Sequence, residues 1–164
     1  MKILYFGGQK SGKSRLSEGK AISLSKNAKP YYVATYDKSF DDKEMNNRVS
    51  KHQKERIDKF ETIEESFDLT KVIKKEETYL VECLSMWILN NINKSEEELL
   101  TQLEVLKNSK ADIVFVLNDV NSGVIPLGNE SRKFVDLTGI IGQKVASFCD
   151  EVYEVKLGLP QRLK

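Results

Sequence analysis

A chain of 164 residues with 40% hydrophobic and 31% charged residues has an ordinary globular composition, and we predict one domain spanning residues 1–164. Its net charge of +1 gives no reason to expect a nucleic acid or a membrane surface as a partner. No apolar run approaches the ~20 residues of a membrane span, and the amino terminus lacks a signal-peptide pattern. Two distant cysteines predict neither a disulfide framework nor a zinc site, which favours a cytoplasmic protein.

The first twenty residues contain a phosphate-binding loop pattern. Residues 7–14 read Gly-Gly-Gln-Lys-Ser-Gly-Lys-Ser, after a short apolar run and before a helix-forming run at 15–25. The pattern G-x-x-x-x-G-K-[ST] between a strand and a helix is typical of a loop whose backbone N–H groups surround phosphates. Lys13 would reach the β- and γ-phosphates, and the Ser14 hydroxyl would ligate Mg²⁺. The alternative is a glycine-rich turn that happens to carry Lys-Ser, but it does not explain why the motif lies between a strand and a helix.

Strands and helices alternate along the rest of the chain. A second apolar run at 31–35 follows a break at 27–30, and such alternation predicts an α/β fold with a mostly parallel sheet and helices on both faces. We predict the remaining elements as a short strand or extended connection at 60–65, a strand at 78–84, helices at 68–75, 84–92, 95–108 and 129–150, and strands at 111–117 and 151–155. The segment 158–160 is expected to turn the chain into a short tail.

Two details of these elements bear on packing and on the site. Ser95 followed by Glu98 predicts a capping box at the start of a helix. Gly139 and Gly142 interrupt the long helix and are expected to allow close packing. Asn118 and Asp119 follow a buried strand, and ligands of open α/β sheets bind outside the carboxyl ends of strands. We therefore expect both residues to point toward the site.

The polar segment 41–59 is predicted as a helix, and it carries the chain's only histidine. Arg48, His52 and Arg56 are spaced four apart and would share one face. Two guanidinium groups would lower the pKa of the imidazole, leaving a neutral nucleophile beside groups that hold phosphate. Spacing alone favours the plainer alternative, a solvated charged face with an incidental histidine.

Glu82 stands near the end of the apolar run at 78–84. In phosphate-loop proteins an acid at the end of a neighbouring strand helps to hold Mg²⁺, which makes Glu82 the candidate partner of Ser14. The alternative is a strand-end carboxylate that meets solvent or caps the next helix.

Taken together, the chain resembles the bifunctional adenosylcobinamide kinase / adenosylcobinamide-phosphate guanylyltransferase family of cobalamin biosynthesis. The resemblance extends over nearly the whole chain in the right order. The stretches that carry it are 7–14, 32–35, 44–45, 48–52 with Arg56, 80–87, 122–126, 132–134 with Asp136 and Gly139, 149–152, 158–160 and 163–164.

The resemblance implies a two-step enzyme. A nucleoside triphosphate, ATP or GTP, phosphorylates adenosylcobinamide, and GTP then transfers GMP to that phosphate through a covalent phosphoramidate on a histidine, which falls on His52. It also implies a homotrimer. Lys13 joins His52 as a catalytic residue, and Ser14 and Glu82 are the implied Mg²⁺ ligands. The implied nucleotide-binding residues are Gly7, Gly8, Gln9, Lys10, Ser11, Gly12, Lys13, Ser14, Thr35, Arg48, Arg56, Glu64 and Glu82.

The chain departs from the family's usual residues at several positions. Lys10 replaces an Arg, and a lysine lacks the two-pronged phosphate contact. Glu82 replaces an Asp, and Asp119, Asn121 and Gly142 replace a Glu, a Gly and an Asn. These departures leave two alternatives to the bifunctional enzyme. One is a protein that keeps only one activity, and the other is a non-catalytic GTP-binding regulatory subunit.

Overall fold

The computed structural model describes residues 1–25, 28–37, 56–74 and 76–164. The predicted helix at 41–59, with Arg48 and His52, lies outside the described residues except for its last four positions. The strands are β1 (Lys2–Gly7), β2 (Tyr31–Ala34), β3 (Glu61–Glu64), β4 (Thr78–Glu82), β5 (Asp112–Asn118), β6 (Glu151–Lys156) and β7 (Leu159–Arg162). The helices are α1 (Lys13–Leu24), α2 (Leu84–Asn90), α3 (Glu96–Asn108) and α4 (Asn129–Phe148).

The seven strands of the described residues form one sheet in the order β3-β2-β4-β5-β1-β6-β7. Every neighbouring pair is parallel except β6 and β7, which confirms the predicted mostly parallel α/β fold. The strand that precedes the phosphate loop, β1, lies between β5 and β6. Loops on both sides of β1 therefore border the phosphate loop.

The expectation that the chain ends in a short tail after residue 158 was wrong. Leu159–Arg162 forms β7, which pairs antiparallel with β6 so that Tyr153 lies opposite Arg162. Pro160 has no N–H to donate, but β7 is an edge strand, where proline is tolerated. A segment of four exposed residues containing proline carries no apolar pattern, so its pairing with β6 decides its structure.

Helices cover both faces of the sheet, and the strands alternate between two hydrophobic cores. In β5, Ile113, Phe115 and Leu117 belong to a core with side chains of α2, α3 and α4, whereas Val114 and Val116 belong to a core with α1. A strand buried on both faces reads as a continuous apolar run, which is why the sequence predicts it clearly.

Helix boundaries agree with the sequence to within a few residues, with one exception. Ser95 caps α3 through the predicted capping box with Glu98. A Cβ at Gly142 would lie 3.0 Å from the Leu117 Cδ2 atom, which confirms the close packing expected of α4. The helix predicted at 68–75 is instead a single 3₁₀ turn at Leu69–Lys71, and the Lys74 N–H already donates to the Val72 carbonyl, which is not a helical hydrogen bond.

The parallel strands end at one edge of the sheet, which we call the carboxyl edge. Gly7 lies opposite Asn118, and Ala34 lies opposite both Glu82 and Glu64. The phosphate loop and the loops after β2, β4, β5 and β6 therefore leave the sheet on the same side. No helix among the described residues has the length and apolar character needed to cross a membrane.

Candidate nucleotide-binding site

The phosphate loop connects Gly7 at the end of β1 to Lys13 at the start of α1. Gly12 is the N-cap of α1 and has φ 99°, a left-handed conformation that a residue with a side chain rarely adopts. The Gly8 carbonyl accepts a hydrogen bond of 3.2 Å from the Ser11 N–H, which closes the turn. The amino end of α1, with its partial positive charge, thus faces the loop.

Lys13 extends across this loop. Its ammonium donates a hydrogen bond of 2.9 Å to the Gly8 carbonyl, and the residue is only 6% exposed. Burial lowers the pKa of Lys13, while the nearby Cys83 and Glu82 act in the opposite direction. A buried ammonium with three donors and one carbonyl partner retains donors for phosphate oxygens.

Ser14 and Glu82, the predicted Mg²⁺ ligands, are in direct contact. The Ser14 hydroxyl donates a hydrogen bond to the Glu82 Oε1 atom, across from α1 to the last residue of β4. A hydroxyl and a carboxylate are hard oxygen ligands of the kind that Mg²⁺ prefers. The residues present therefore fit Mg²⁺, and the sequence argument for this pair agrees with the geometry.

Arg56 lies behind this pair, buried at 7% exposure. Its Nε donates to the Glu18 Oε1 atom at 2.6 Å, and its Nη2 donates to the Glu82 Oε2 atom at 3.4 Å. Its guanidinium carbon lies 4.3 Å from the centre of the Tyr32 ring, a cation–π contact. Arg56 therefore contacts two carboxylates and a ring within the protein, and its predicted contact with nucleotide stays a prediction.

Thr35 is also engaged within the protein. Its hydroxyl, fully buried, donates to the Cys83 carbonyl at 2.8 Å and accepts from the Cys83 N–H at 2.9 Å. The Asn90 amide donates to the Thr35 carbonyl at 2.7 Å. Because Cys83 directly follows Glu82, the Thr35 hydroxyl holds the end of β4, and so the Glu82 backbone, in place.

The remaining predicted site residues are distributed along the carboxyl edge. Gln9 and Lys10 are exposed in the phosphate loop, with Lys10 at φ 56°. Glu64 ends β3, which is four positions from β1 in the sheet, a separation of roughly 19 Å at about 4.8 Å per strand. Glu64 is therefore not brought together with the phosphate loop within one chain.

The loop after β5 also meets the phosphate loop, as expected of Asn118 and Asp119. The Asp119 N–H donates to the Gly7 carbonyl at 2.8 Å. The Asp119 carboxylate accepts from the N–H groups of Asn121 and Ser122 at 3.1 and 3.2 Å, so this side chain shapes its own loop.

Sequence reasoning missed the support that the turn between β6 and β7 gives to the phosphate loop. The Gly158 N–H donates to the Ser11 carbonyl at 2.8 Å. A Cβ at Gly12 would lie 3.0 Å from the Gly158 Cα atom, so the two glycines pack backbone against backbone. Gly158 has φ 79°, which glycine adopts readily. The one signal in the sequence for this support is the glycine itself, because glycine is common in the turn of a hairpin.

One polar atom of the loop is left without a partner. The Ser11 hydroxyl oxygen is buried and makes no hydrogen bond to any of the described residues. A buried hydroxyl without a partner raises the free energy of the folded state, and a ligand that supplies a partner would relieve this cost.

Comparisons with known proteins give a consistent picture. Residues 3–163 match the family described as cobinamide kinase / cobinamide phosphate guanyltransferase. The chain is 33% identical over 173 residues to the bifunctional adenosylcobalamin biosynthesis protein CobP of Pseudomonas aeruginosa, an alignment that covers all of this chain and 98% of the relative. It is 26% identical over 186 residues to the bifunctional adenosylcobalamin biosynthesis proteins CobU of Escherichia coli and Salmonella typhimurium, with full coverage on both sides.

Proposed function

The chain belongs to the cobinamide kinase / cobinamide phosphate guanyltransferase family, and from this premise we propose that it phosphorylates adenosylcobinamide and then converts the product to adenosylcobinamide-GDP. The observation that carries the proposal is the set of contacts around the phosphate loop, where Lys13, Ser14 and Glu82 converge. Relatives named as bifunctional cobalamin biosynthesis proteins align over the full chain, which supports two activities rather than one.

In the first reaction the hydroxyl oxygen of the acceptor attacks the γ-phosphorus of ATP or GTP. A new P–O bond forms, the bond to the β–γ bridging oxygen breaks, and the nucleoside diphosphate leaves with that electron pair. The proton of the hydroxyl passes to solvent. Lys13 neutralises charge that develops on the β- and γ-phosphates, and the N–H groups of the loop orient the chain of phosphates.

Ser14 and Glu82 are the residues that we propose to hold Mg²⁺. Bound there, the ion would neutralise phosphate charge next to Lys13. The described residues contain no group of three or more His, Cys, Asp or Glu side chains placed for a metal. Two protein oxygen ligands agree with Mg²⁺, which commonly takes only one or two carboxylates besides phosphate and water.

In the second reaction we propose that His52 attacks the α-phosphorus of GTP, so that a P–N bond forms and pyrophosphate leaves. A phosphate oxygen of adenosylcobinamide phosphate then attacks the same phosphorus and the P–N bond breaks, which frees the histidine. His52 is the only histidine of the chain. Arg56, four residues later, is anchored at Glu18 and Glu82, which supports an approach of this segment to the phosphate loop.

The proposed setting is a cytoplasmic homotrimer whose subunits are single domains of residues 1–164. The continuous sheet from β1 to β7 supports one domain. Two free thiols, Cys83 and Cys149, agree with a reducing compartment. A trimer would allow Glu64, which lies far from the phosphate loop of its own chain, to approach a neighbouring subunit's nucleotide.

Label transfer tests the covalent step. The purified protein is mixed with Mg²⁺ and GTP labelled on the α-phosphate, denatured, and examined for label that survives base and is lost in acid, as a phosphoramidate requires. We expect label on the native protein and none on His52→Ala. Nucleotide binding without label would leave a kinase-only enzyme or a regulatory subunit, and adenosylcobinamide with γ-labelled ATP or GTP distinguishes these two, because only the kinase labels the corrinoid.

A further inference from the structure

The most exposed large apolar side chains among the described residues lie on the loops that follow β5 and β6, the two strands beside β1. Among the described residues the four highest exposures are those of Leu127 and Leu157 at 96%, Val124 at 94% and Ile125 at 78%. We call these four side chains the apolar rim. Single exposed apolar residues are ordinary, but a group of them concentrated at one place marks a binding surface.

The rim lies on both sides of the phosphate loop. Val124, Ile125 and Leu127 belong to the loop after β5, and Leu157 belongs to the turn after β6, while β1 lies between these strands. Each of the two segments is hydrogen-bonded to the phosphate loop, through the N–H groups of Asp119 and Gly158. The hydrogen bond and charge of Glu154 raise the pKa of Lys156, and the charge of Asp119, on the other segment, raises it further.

The backbone of the rim is held in place while its side chains face solvent. The Arg132 guanidinium donates to the carbonyls of Pro126, at 3.1 Å, and of Leu127. On the other side of the exposed run, the Asn121 amide donates to the Val135 carbonyl at 2.9 Å. A loop fixed at both ends does not turn its apolar side chains inward, and their exposure costs free energy until a ligand covers them.

We propose that the apolar rim binds the corrin ring of the acceptor, and this inference rests on the proposed function. The acceptor hydroxyl must reach the phosphate at Lys13, so the large ring that carries it must rest just outside the phosphate loop. The two loops that carry Val124, Ile125, Leu127 and Leu157 leave the sheet on either side of the phosphate loop, which favours them as the support for that ring. Burial of these side chains against the ring supplies affinity without contacts to nucleotide.

The size of the rim favours a small molecule over a second copy of the chain. Four side chains present on the order of a few hundred Å², within the range of the largest apolar patch on a monomer. A standard protein interface buries about 800 Å² on each partner. The rim by itself therefore suits a ring that lies across two loops better than it suits a subunit interface.

The test compares Val124→Ser/Ile125→Ser/Leu127→Ser with the native protein, and Leu157→Asn provides a second variant because asparagine tolerates the φ of 52° at that position. The matched control is Ile22→Ser/Val105→Ser, which removes exposed apolar side chains from α1 and α3. Equilibrium dialysis with adenosylcobinamide, followed by its visible absorbance, measures binding without turnover. Sedimentation velocity measures the oligomeric state.

We expect the triple variant to weaken corrinoid binding and raise its KM at least tenfold, with GTP affinity changed less than twofold. Leu157→Asn should give a smaller change in the same direction, and the control none. Unchanged corrinoid binding in the triple variant, or loss of an oligomer in its place, would overturn the rim as a corrinoid site. Corrinoid binding through the rim without turnover would instead defeat the proposed function, and a native protein that neither binds nor converts the corrinoid would defeat both.

Discussion

Lys2 begins β1 and Lys13 begins α1 after the phosphate loop, and a comparison of these two buried lysines separates a structural cation from the one that we propose to bind phosphate. Lys2, 7% exposed, donates from its ammonium to the carbonyls of Ser109 at 2.9 Å and Ala111 at 2.6 Å. Among the described residues, Lys13, 6% exposed, donates only to the Gly8 carbonyl of the phosphate loop. Burial lowers the pKa of both lysines. The two lysines therefore share residue type and burial but differ in the hydrogen-bond acceptors of their ammonium groups.

The largest expected effect comes from removing the Lys13 ammonium. Lys13→Ala should lower kcat for phosphorylation by about 10²–10³-fold, because one charge-stabilising donor is removed from the transition state. The variant should keep its fold, since the only described hydrogen bond from the ammonium is to a loop carbonyl. Steady-state kinetics and chemical denaturation measure the two quantities.

Lys2→Met, at the start of β1, is the matched control. It should lower the free energy of unfolding by about 1–3 kcal/mol, because the carbonyls of Ser109 and Ala111 lose their donor. Turnover of the folded variant should stay within about twofold. If Lys2→Met lowered kcat as far as Lys13→Ala, the distinction between the two lysines would be wrong.

Arg56 extends the comparison to a buried cation that is paired with carboxylates. Arg56→Met should lower the free energy of unfolding by about 1–3 kcal/mol, because Glu18 and Glu82 are left without their partner, and their partial exposure limits the cost. Mg²⁺-dependent nucleotide binding should weaken as well, since Glu82 loses the group that orients it. Arg56→Lys keeps the charge without the fork and should recover part of the stability. A variant as stable as the native protein would mean that Arg56 does not anchor its segment.

Gly158 tests how far the phosphate loop depends on the turn after β6. Gly158→Ala places a side chain at φ 79° and should lower the free energy of unfolding by about 1–2 kcal/mol. GTP affinity should fall several-fold, because the hydrogen bond to the Ser11 carbonyl shifts with the turn. Gly19→Ala, in α1 with open space around it, is the control and should stabilise the protein by about 0.5–1 kcal/mol. If Gly158→Ala and Gly19→Ala bound GTP with equal affinity, the turn after β6 would not contribute to nucleotide binding.

The smallest expected effect is the uptake of protons when GTP binds beside Lys13. Burial lowers the pKa of Lys13, so between the folded pKa and the unfolded value of about 10.5 the folded chain binds fewer protons than the unfolded chain. The free energy of unfolding therefore rises with pH in that window, because the neutral lysine no longer bears the cost of a buried charge. Phosphate bound beside Lys13 restores its charge. At about pH 9, below the usual lysine pKa of about 10.4, GTP binding should therefore take up protons in the native protein and in Lys2→Met.

Titration calorimetry in buffers of different ionisation enthalpy measures this uptake. Lys13→Ala should bind GTP more weakly and take up fewer protons than the native protein. Equal uptake in the two proteins would assign the protons to another group, and Lys13 would then stay charged in the free site.

The geometry of the candidate site was predictable from sequence where the pattern is local. The spacing of Gly7, Gly12, Lys13 and Ser14 between a strand and a helix specifies a loop of N–H groups, since each of these residues acts through its own backbone or its immediate neighbours. Glu82 was predictable because parallel strands end at one edge, so an acid at the end of β4 lies near the loop after β1. The roles given to His52 and Arg48 stay predictions.

The sequence by itself determined the fold class, the two-sided burial of β5 and the capping box of α3, because these follow from runs and spacings within single elements. Only the tertiary structure decided that Leu159–Arg162 is a strand, that Gly158 supports the phosphate loop and that Arg56 and Thr35 hold other groups of the protein. These depend on pairings between residues far apart in the chain. Such pairings carry no local period, and the free energy that decides them arises only when the elements meet.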